Sequence, residues 1–406
     1  MQNYRGMNIL LLRQYNPYTE NGASANRIRG LVDGLCAEGH NVTIATVGGI
    51  LRKGEKMSFK SSDDGLRIEY LSYSNHYGYL MSRLNTYFFD NSINLWGIGH
   101  RFRKLLKQKY DIVWLTTNIT VMRLYRRYNK FITECTFVEL NEFNDICEPK
   151  GNFLQRQKVS RSNRLFLDTI GKIDLLGVMT QTLIAHYKTM AKSEAKFLHL
   201  PMTVDFSRFK ETPTYNEYKK PYIAFTGTMS NNKDGVDVLI KAFARIASDY
   251  PDYQLYLAGF WHYDVPMQDE LIANYGLQER IHRIGVLSRE QIPVFIGNAT
   301  LLVLSRPDSR QAQGGFPTKL GEYLATGKPV CVTRVGEIPD YLEDNMSAFM
   351  AEPGDVDSFA EAMNRALCDN NNACRVGANG QKVAEKEFNA LTQAHKLSVF
   401  FKENVK

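Results

Sequence analysis

A strand, a glycine-rich loop, a helix and a second strand follow one another near residue 300, and this order constrains the fold most. Residues 300–304 form an apolar run of the kind found in buried strands. Residues 305–315 are polar and glycine-rich, which predicts a loop. Apolar residues then recur at helical spacing until Gly327, and residues 330–332 begin the next strand. Two strands joined through a helix predict a parallel α/β sheet.

The same stretch is suited to binding phosphate. A glycine-rich loop before a helix leaves unpaired backbone N–H groups at the positive end of that helix. Glu322 lies one turn into the helix, where a carboxylate can accept hydrogen bonds from sugar hydroxyls. A second strand and glycine loop precede Lys233, and the two loops together predict a pyrophosphate site with Lys319 and Arg306 as further cations. The alternative is an ordinary crossover with a glycine-rich turn.

The chain of 406 residues is long enough for two such domains. We predict a first domain over residues 1–200, a second over 201–387 and a tail helix over about 388–406 that returns to the first domain. Strands are expected at 7–12, 42–47, 66–71, 111–115, 136–139 and 175–179, and then at 222–225, 254–257, 281–284, 300–304, 330–332 and 348–350. Helices are expected at 25–39, 95–107, 153–169, 182–190, 236–247 and 377–406. Residues 74–94, rich in Tyr, Asn and Ser, are placed as an insertion facing the cleft or a membrane.

Charge and cysteine content indicate the setting of the protein. Residues 1–200 hold 28 Lys and Arg against 17 Asp and Glu, which favours an anionic partner. Two basic-aromatic stretches, 96–109 and 121–131, suit helices on an anionic membrane, or are ordinary surface helices. The 6 Cys form no Cys-x-x-Cys pair, and neither a secretory signal nor an 18-residue apolar span occurs. We therefore expect a cytoplasmic protein, peripheral at the inner face of the membrane.

Several enzyme classes are disfavoured by missing motifs. The first loop contains Gly22 but lacks the Gly-x-Gly-x-x-Gly of dinucleotide binders, and neither a P-loop, a Gly-x-Ser-x-Gly elbow nor a His-rich metal motif occurs. Polar side chains follow the 136–139 strand, where a catalytic group can sit, although solvated loop charges are the alternative. These side chains are Glu139, Asn141, Glu142, Asp145 and Glu148.

In order and spacing, these motifs resemble family 4 of the retaining glycosyltransferases, which have the GT-B fold. The resemblance runs through most of the chain and is strongest over residues 201–367; its pieces include 202–209, 225–235, 255–259, 281–286, 314–330 and 336–342. It implies two doubly wound Rossmann-like domains facing a cleft. It also implies metal-independent transfer of a sugar from a nucleotide-diphosphate donor with retained configuration.

The resemblance assigns roles by position in this sequence. Glu322 would hold the donor ribose, Lys233 would contact the diphosphate, and Val286 would lie beside the base. The donor phosphates and sugar would meet the backbone of Gly315, Phe316, Pro317, Thr318, Lys319 and Leu320. The Gly227 loop would approach the phosphates, and the first-domain loop of Gly22, Ala23 and Ser24 would close on the donor.

Three positions depart from the family pattern. Gly314 stands where the family has the first acid of its paired-glutamate motif, and Thr228 stands where it has an arginine. Asn141-Glu142 replaces a first-domain histidine and supplies two candidate catalytic residues. Lys319 and Arg306 are the candidates to compensate, and the Pro-Thr-Lys variant resembles capsule, O-antigen and exopolysaccharide transferases.

The prediction is a retaining glycosyltransferase of cell-surface polysaccharide synthesis. Its expected partners are a nucleotide sugar, a saccharide or lipid-diphosphate-linked acceptor and an anionic membrane surface, with no metal cofactor and no nucleic acid. One alternative is an inactive transferase-like subunit that binds nucleotide sugar or regulates a partner. Another is a GT-B enzyme of different chemistry, such as a nucleotide-sugar epimerase. A nucleic-acid binder is the weakest, because the basic stretches lack a recognised reading motif.

Overall fold

The computed structural model describes residues 6–20, 22–47, 65–71, 94–144, 152–210, 218 and 220–405, with only the backbone of 94–97. The chain divides into two compact units. The first unit comprises Met1–Leu200 with Ala394–Lys406, and the second comprises Pro201–Gln393. The expected insertion at 74–94 lies outside the described residues, as do Asp145 and Glu148.

The first unit contains a seven-stranded parallel sheet in the order β3-β2-β1-β4-β5-β6-β7. Its central strands are continuous apolar runs, as expected of a parallel sheet covered on both faces. The strands are β1 (Asn8–Arg13), β2 (Asn41–Thr46), β3 (Leu66–Tyr70), β4 (Ile112–Leu115), β5 (Cys135–Leu140), β6 (Leu175–Val178) and β7 (Lys196–His199).

Crossover helices connect these strands and pack apolar stripes against the sheet. The described helices are α1 (Ala23–Ala37), α2 (Asn94–Leu106), α3 (Ile119–Tyr128), α4 (Phe153–Ile170) and α5 (Gln181–Lys188). In α1, Ile28, Leu31, Val32 and Leu35 recur at helical spacing and are buried in the core. The basic stretches of α2 and α3 likewise bury one apolar side, including Phe102 and Leu124.

The second unit contains a six-stranded parallel sheet in the order β10-β9-β8-β11-β12-β13. Because β8 and β11 are neighbours, the loops that follow them meet at one edge of the sheet. The strands are β8 (Tyr222–Thr228), β9 (Gln254–Phe260), β10 (Ile281–Gly285), β11 (Leu301–Leu304), β12 (Val330–Thr333) and β13 (Phe349–Ala351).

The remaining helices surround this second sheet and form the C-terminus. They are α6 (Asn231–Asp234), α7 (Val236–Ile246), α8 (Val265–Asn274), α9 (Gln291–Gly297), α10 (Arg310–Gly314), α11 (Thr318–Ala325), α12 (Ile338–Tyr341), α13 (Val356–Cys368), α14 (Asn370–Phe388) and α15 (Ala390–Asn404). Within the described residues, no helix is long and apolar enough to cross a membrane.

The last helix returns to the first unit from Ala394 onward. Ala394, Leu397, Phe400 and Phe401 join the core of the first sheet. The Phe401 ring lies 5.0 Å from the Phe137 ring, centroid to centroid, in an edge-on arrangement. These contacts confirm the predicted return of the C-terminal helix.

Two local predictions are incomplete or wrong. Residues 305–315 were predicted to be a loop, but Arg310–Gly314 forms the short helix α10. Ser309 causes this difference, because its hydroxyl accepts from the Ala312 N–H at 3.1 Å and caps the turn. The edge strand β7 was not predicted, since its four residues KFLH include no continuous apolar run.

Candidate active site

The candidate site of the second unit lies at the carboxyl ends of β8 and β11. Ligands of α/β sheets bind at such edges, where loops and helix N-termini converge. Gly227 has φ 152° and Gly235 has φ 68°, so both residues adopt backbone conformations that favour glycine. A Cβ at Gly235 would lie 2.0 Å from the Ser305 carbonyl oxygen. The glycine loop after β8 therefore packs directly on the end of β11.

Hydrogen bonds fix this loop in place. The Ser305 hydroxyl donates to the Gly235 carbonyl at 2.8 Å, and the Ser230 hydroxyl accepts from the Lys233 N–H at 3.3 Å. Lys233 itself is exposed. The backbone of this loop is fixed by hydrogen bonds, and the Lys233 side chain is exposed to solvent. This arrangement suits the binding of an anion.

The ammonium of Lys319 points into this loop. Its Nζ donates to Asp234 Oδ1 at 2.7 Å and lies 4.7 Å from the centroid of the Phe225 ring. A Cβ at Gly227 would lie 2.1 Å from the same Nζ. Burial lowers the pKa of Lys319, the Asp234 carboxylate opposes that shift, and the charges of Arg306 and Lys233 add to it. The structure thus brings a cation from α11 against the glycine loop.

Asp234, which the sequence analysis did not single out, is the counter-ion of this lysine. Its side chain is 5% exposed, and its second oxygen, Oδ2, is buried without a hydrogen-bond partner among the described residues. A buried carboxylate is stable in the ionised form when a cation is held beside it. The proximity of Asp234 to Lys319 was not foreseeable from their separation of 85 residues.

Arg306 is buried, and its guanidinium contacts backbone carbonyls. Its guanidinium donates to the Gly315 carbonyl at 3.4 Å and to the Gln311 carbonyl at 3.2 Å. It therefore ties down α10 and the segment that enters α11. Its predicted contact with donor phosphate stays a prediction.

The segment from Gly315 to Leu320 presents mainly backbone to the site. Phe316 is 5% exposed, with its ring 5.5 Å from that of Tyr341 and 5.1 Å from that of Phe388, and Leu320 is fully buried. Pro317 precedes the first residue of α11 and has no N–H to leave unpaired, whereas Thr318 begins the helix and is half-buried. The Leu320 N–H donates to the Pro317 carbonyl at 3.0 Å, so the N–H groups of Thr318 and Lys319 in the first turn of α11 are those that an anion would use.

Glu322 lies on α11 and is bound by an arginine that the sequence analysis missed. Arg208 donates through one terminal nitrogen to the Glu322 carboxylate and through the other to the Arg289 carbonyl, the latter at 2.9 Å. Arg289 belongs to the loop that carries Val286, which is 58% exposed. Arg208 therefore links Glu322 to the loop that carries Val286. Their roles in binding stay predictions.

In the first unit, a cavity of about 380 Å³ lies at the carboxyl ends of β1, β4 and β5. Ser24 and Asn141 line it, together with Arg13, Asn118 and Glu139 among others. Asn141 Oδ1 is buried and has no hydrogen-bond partner among the described residues, so it can accept from a ligand. Arg13 pairs with Glu20 at 2.9 Å and reaches the Ser24 hydroxyl at 3.4 Å.

The other first-unit candidates differ in position. Gly22 has φ 131° and precedes α1, and Ala23 is the first residue of that helix. Glu139 is buried in an ion pair with Arg27, which also donates to the Leu200 carbonyl at 2.8 Å. The Glu142 carbonyl accepts from the Tyr187 hydroxyl at 2.9 Å, and its side chain does not line the cavity. Asn141 is therefore the better placed of the two candidate catalytic residues in this unit.

The geometry agrees with comparisons to known proteins. Residues 220–369 match the sequence model of the family described as glycosyl transferases group 1. The match covers less than half of the chain and shows what this segment is similar to. It includes both loops of the candidate site together with Lys233, Lys319 and Glu322.

Curated relatives carry related names. The chain is 26% identical over 251 residues to a GDP-mannose-dependent monoacylated alpha-(1-6)-phosphatidylinositol monomannoside mannosyltransferase of Corynebacterium glutamicum, covering 58% of this chain and 64% of that protein. It is 25% identical over 160 residues to the amylovoran biosynthesis glycosyltransferase AmsK of Erwinia amylovora, covering 39% of each. The alignments thus span less than two thirds of these relatives.

A solved structure shares this fold. Sucrose-phosphate synthase from Thermosynechococcus elongatus superposes with a TM-score of 0.75 at 16% identity, covering 98% of both chains. Together with the two parallel sheets and the returning helix, this likeness shows the GT-B fold that the sequence predicted.

Proposed function

We propose that the chain is a retaining glycosyltransferase that moves a sugar from a nucleotide-diphosphate donor to a saccharide or lipid-linked saccharide. The observation that carries the proposal is the Lys319 ammonium beside Gly227, next to the N-terminus of α11 and the exposed Lys233. Cations and free N–H groups at one sheet edge suit a diphosphate. The group 1 match over the same residues and the GDP-mannose-dependent relative support a nucleotide-sugar donor.

These groups stabilise charge that develops during transfer. As the bond from the anomeric carbon to the phosphate oxygen breaks, negative charge grows on the leaving diphosphate. Lys233, Lys319 and the N–H groups of α11 are placed to offset that charge without reorganising. The acceptor hydroxyl forms the new bond from the side that the diphosphate leaves, and its proton passes to a phosphate oxygen. In line with the family resemblance, we propose that no metal ion is needed, so EDTA should leave turnover unchanged.

The acceptor is proposed to contact the first-unit cavity. Its wall carries hydroxyl, amide and guanidinium groups, which suit the hydroxyls of a saccharide. Asn141 Oδ1 is buried there and has no hydrogen-bond partner among the described residues, so a saccharide hydroxyl that reaches it could donate to it. The relatives named for a phosphatidylinositol monomannoside and for amylovoran biosynthesis support a lipid-linked or saccharide acceptor. We propose that this acceptor is a precursor of a cell-surface glycan and is met at the inner face of the membrane.

Basic helices of the first unit are proposed to contact an anionic membrane. Helices α2 and α3 contain no acidic residue, and a surface cavity of about 660 Å³ is lined by His100, Arg103, Lys104, Leu106, Lys107 and Phe131. Phe131 is 45% exposed beside these cations. Basic residues flanking an exposed aromatic ring suit an anionic lipid surface.

Turnover with a panel of nucleotide sugars tests the donor site. Lys233→Ala should lower kcat by about a hundredfold or more, since removing one group that stabilises transition-state charge has that effect. Glu322→Gln should weaken donor binding. Lys382→Ala and Glu361→Gln are matched controls on exposed helical positions. Unchanged turnover in both Lys233→Ala and Glu322→Gln would show that the donor site is misplaced.

Wild-type behaviour decides between the enzyme and the inactive subunit. Nucleotide binding with neither hydrolysis nor transfer for any donor would favour the subunit. Turnover of a donor without an acceptor to an epimeric nucleotide sugar would favour the epimerase.

Flotation with phosphatidylcholine vesicles, with and without phosphatidylglycerol, tests the membrane contact. Binding should require phosphatidylglycerol and fall with salt. The triple variant Arg103→Gln, Lys104→Gln, Lys107→Gln should bind on the order of a hundredfold more weakly, at roughly 1 kcal/mol per charge. Equal flotation of the triple variant and Lys382→Gln would refute this surface.

A further inference from the structure

Arg208 joins two elements of the second unit that are distant in sequence. It lies in the short 3-10 turn Phe206–Phe209, just before the second sheet begins, and its side chain is only 9% exposed. Its partners are 114 residues away on α11 and 81 residues away in the loop before α9. Burying a guanidinium costs solvation, so its contacts must be well satisfied.

The Arg208 guanidinium binds both of these elements at once. One terminal nitrogen donates to Glu322 Oε1, and the other donates to the Arg289 carbonyl at 2.9 Å. Its Cζ atom lies over the Phe209 ring, 5.4 Å from the ring centroid. The fixed fork of an arginine thus sets the distance between α11 and the loop of Arg289.

A second contact closes the same loop onto the turn. The Arg289 side chain reaches Asp205 Oδ2 at 3.4 Å, and Asp205 Oδ1 accepts from the Ser207 N–H at 3.1 Å. The loop is therefore held both by its backbone and by its side chain. Val286 lies three residues earlier in the same loop and is 58% exposed.

The Glu322 carboxylate is oriented but not closed off. Its side chain is 22% exposed while Oε1 is engaged by Arg208. A carboxylate has about four acceptor sites, so further hydroxyls can donate to it. Without Arg208, Glu322 could adopt other rotamers, and the geometry presented to two adjacent hydroxyls would be lost.

We propose that Arg208 is a positioning residue for the donor nucleoside: it aims the Glu322 carboxylate at the ribose diol and holds the Val286 loop beside the base. The inference rests on the proposed function, because it presumes a nucleotide donor at this sheet edge. It goes beyond the proposed function in one respect: the preference for nucleotides that carry ribose hydroxyls should depend on Arg208.

The test compares nucleotides that differ only in the ribose. Calorimetry would give the Kd of GDP or UDP, whichever binds wild type more tightly, of its 2′,3′-dideoxy analogue, and of inorganic pyrophosphate. Wild type should prefer the ribonucleotide by roughly tenfold or more, the effect of losing hydrogen bonds to a charged group. In Arg208→Lys and Arg208→Gln that preference should fall toward one, while pyrophosphate affinity stays within about twofold.

Arg365→Gln is the matched control. Arg365 also bridges one carboxylate, that of Asp344 at 3.2 Å, and one backbone carbonyl, that of Met350 at 3.2 Å, within the same unit. A general loss of stability would therefore appear in both variants, whereas loss of ribose preference should appear only at Arg208. In the Glu322→Gln background, Arg208→Gln should change the preference little, since the two residues act as one unit.

The outcomes separate this inference from the proposed function. If folded Arg208→Lys or Arg208→Gln protein keeps the wild-type ribose preference, the inference is wrong and the donor function stands. If wild type binds neither nucleotide, the proposed function and the inference both fail. If Arg208→Gln melts before measurement, Arg208→Lys, which keeps a charge but not the fork, decides the question.

Discussion

Removing the Lys319 ammonium should lower both donor affinity and the free energy of unfolding. Removing the charge of Asp234 as well should restore only the stability. The Nζ atom lies 2.7 Å from Asp234 Oδ1 and is in contact range of the Gly227 backbone, where the diphosphate is proposed to bind. A hydrogen bond to a charged group contributes about 1.5–3 kcal/mol. At tenfold per 1.4 kcal/mol, Lys319→Met should weaken nucleoside diphosphate binding by about 10- to 150-fold.

The single variant also affects folding. Lys319→Met leaves the Asp234 carboxylate buried without its cation, which costs about 3–5 kcal/mol in comparable pairs. The double variant Lys319→Met, Asp234→Asn removes both charges and should recover much of that stability. Its affinity for GDP, UDP and pyrophosphate should remain low. Asp234→Asn alone should also weaken binding, because the carboxylate holds the Lys319 ammonium at the loop and opposes the lowering of its pKa.

The assay is calorimetry with each ligand alongside urea unfolding of each variant. The matched control is Lys241→Met, Asp237→Asn, an ion pair at 3.1 Å on α7 of the same unit. That control should leave all three affinities unchanged. Wild-type affinity in the folded double variant would refute the placement of Lys319 at the diphosphate.

Two further predictions concern the first unit. His40 is buried, accepts from the Met7 N–H at 3.0 Å and contacts the Ser398 hydroxyl at 2.7 Å. Burial lowers the pKa of His40; the charge of Lys402 adds to this shift, and those of Glu38 and Asp111 oppose it. The unfolded chain therefore takes up the proton first, so urea unfolding should show stability falling as pH drops below about 6.5, and His40→Gln should flatten that slope. Phe401→Ala should lower the free energy of unfolding by about 3–5 kcal/mol in the same assay, because the ring is fully buried against Phe137. Lys396→Ala, at an exposed position of the same helix, should have little effect, and equal effects of the two variants would contradict the packing of α15.

The two sheets were predictable because their central strands can be recognised from their own residues. The runs at β1 and β11 are continuous apolar segments, and a parallel sheet covered on both faces needs nothing else from its strands. β7 escaped prediction because an edge strand with Lys196 and His199 at its ends carries no such run. α10 escaped because the cap at Ser309 acts against the glycine-rich composition of its surroundings.

Only those residues of the candidate site that belong to a recognisable motif could be predicted from the sequence. Lys233 and Glu322 follow from their places in loop and helix, which the family pattern specifies. Asp234 and Arg208 do not, because their importance comes from partners 85 and 114 residues away. Such pairings depend on how α11 sits against the β8 loop, and no local spacing encodes that arrangement.

The departure at Thr228 gains a physical explanation from these contacts. The family pattern has an arginine there, beside the glycine of the loop; here Lys319 brings a positive charge to the same glycine from α11. A Cβ at Gly227 would fall 2.1 Å from Nζ, on backbone at φ 152° that other residues rarely adopt. Gly227, Asp234 and Lys319 are therefore interdependent: the glycine leaves the space, the carboxylate holds the charge, and a side chain at Gly227 would displace the ammonium. A Gly227→Ala change should therefore lower diphosphate affinity in two ways, by displacing the Lys319 ammonium and by straining the loop backbone, and only the first contribution should be lost in the Lys319→Met background.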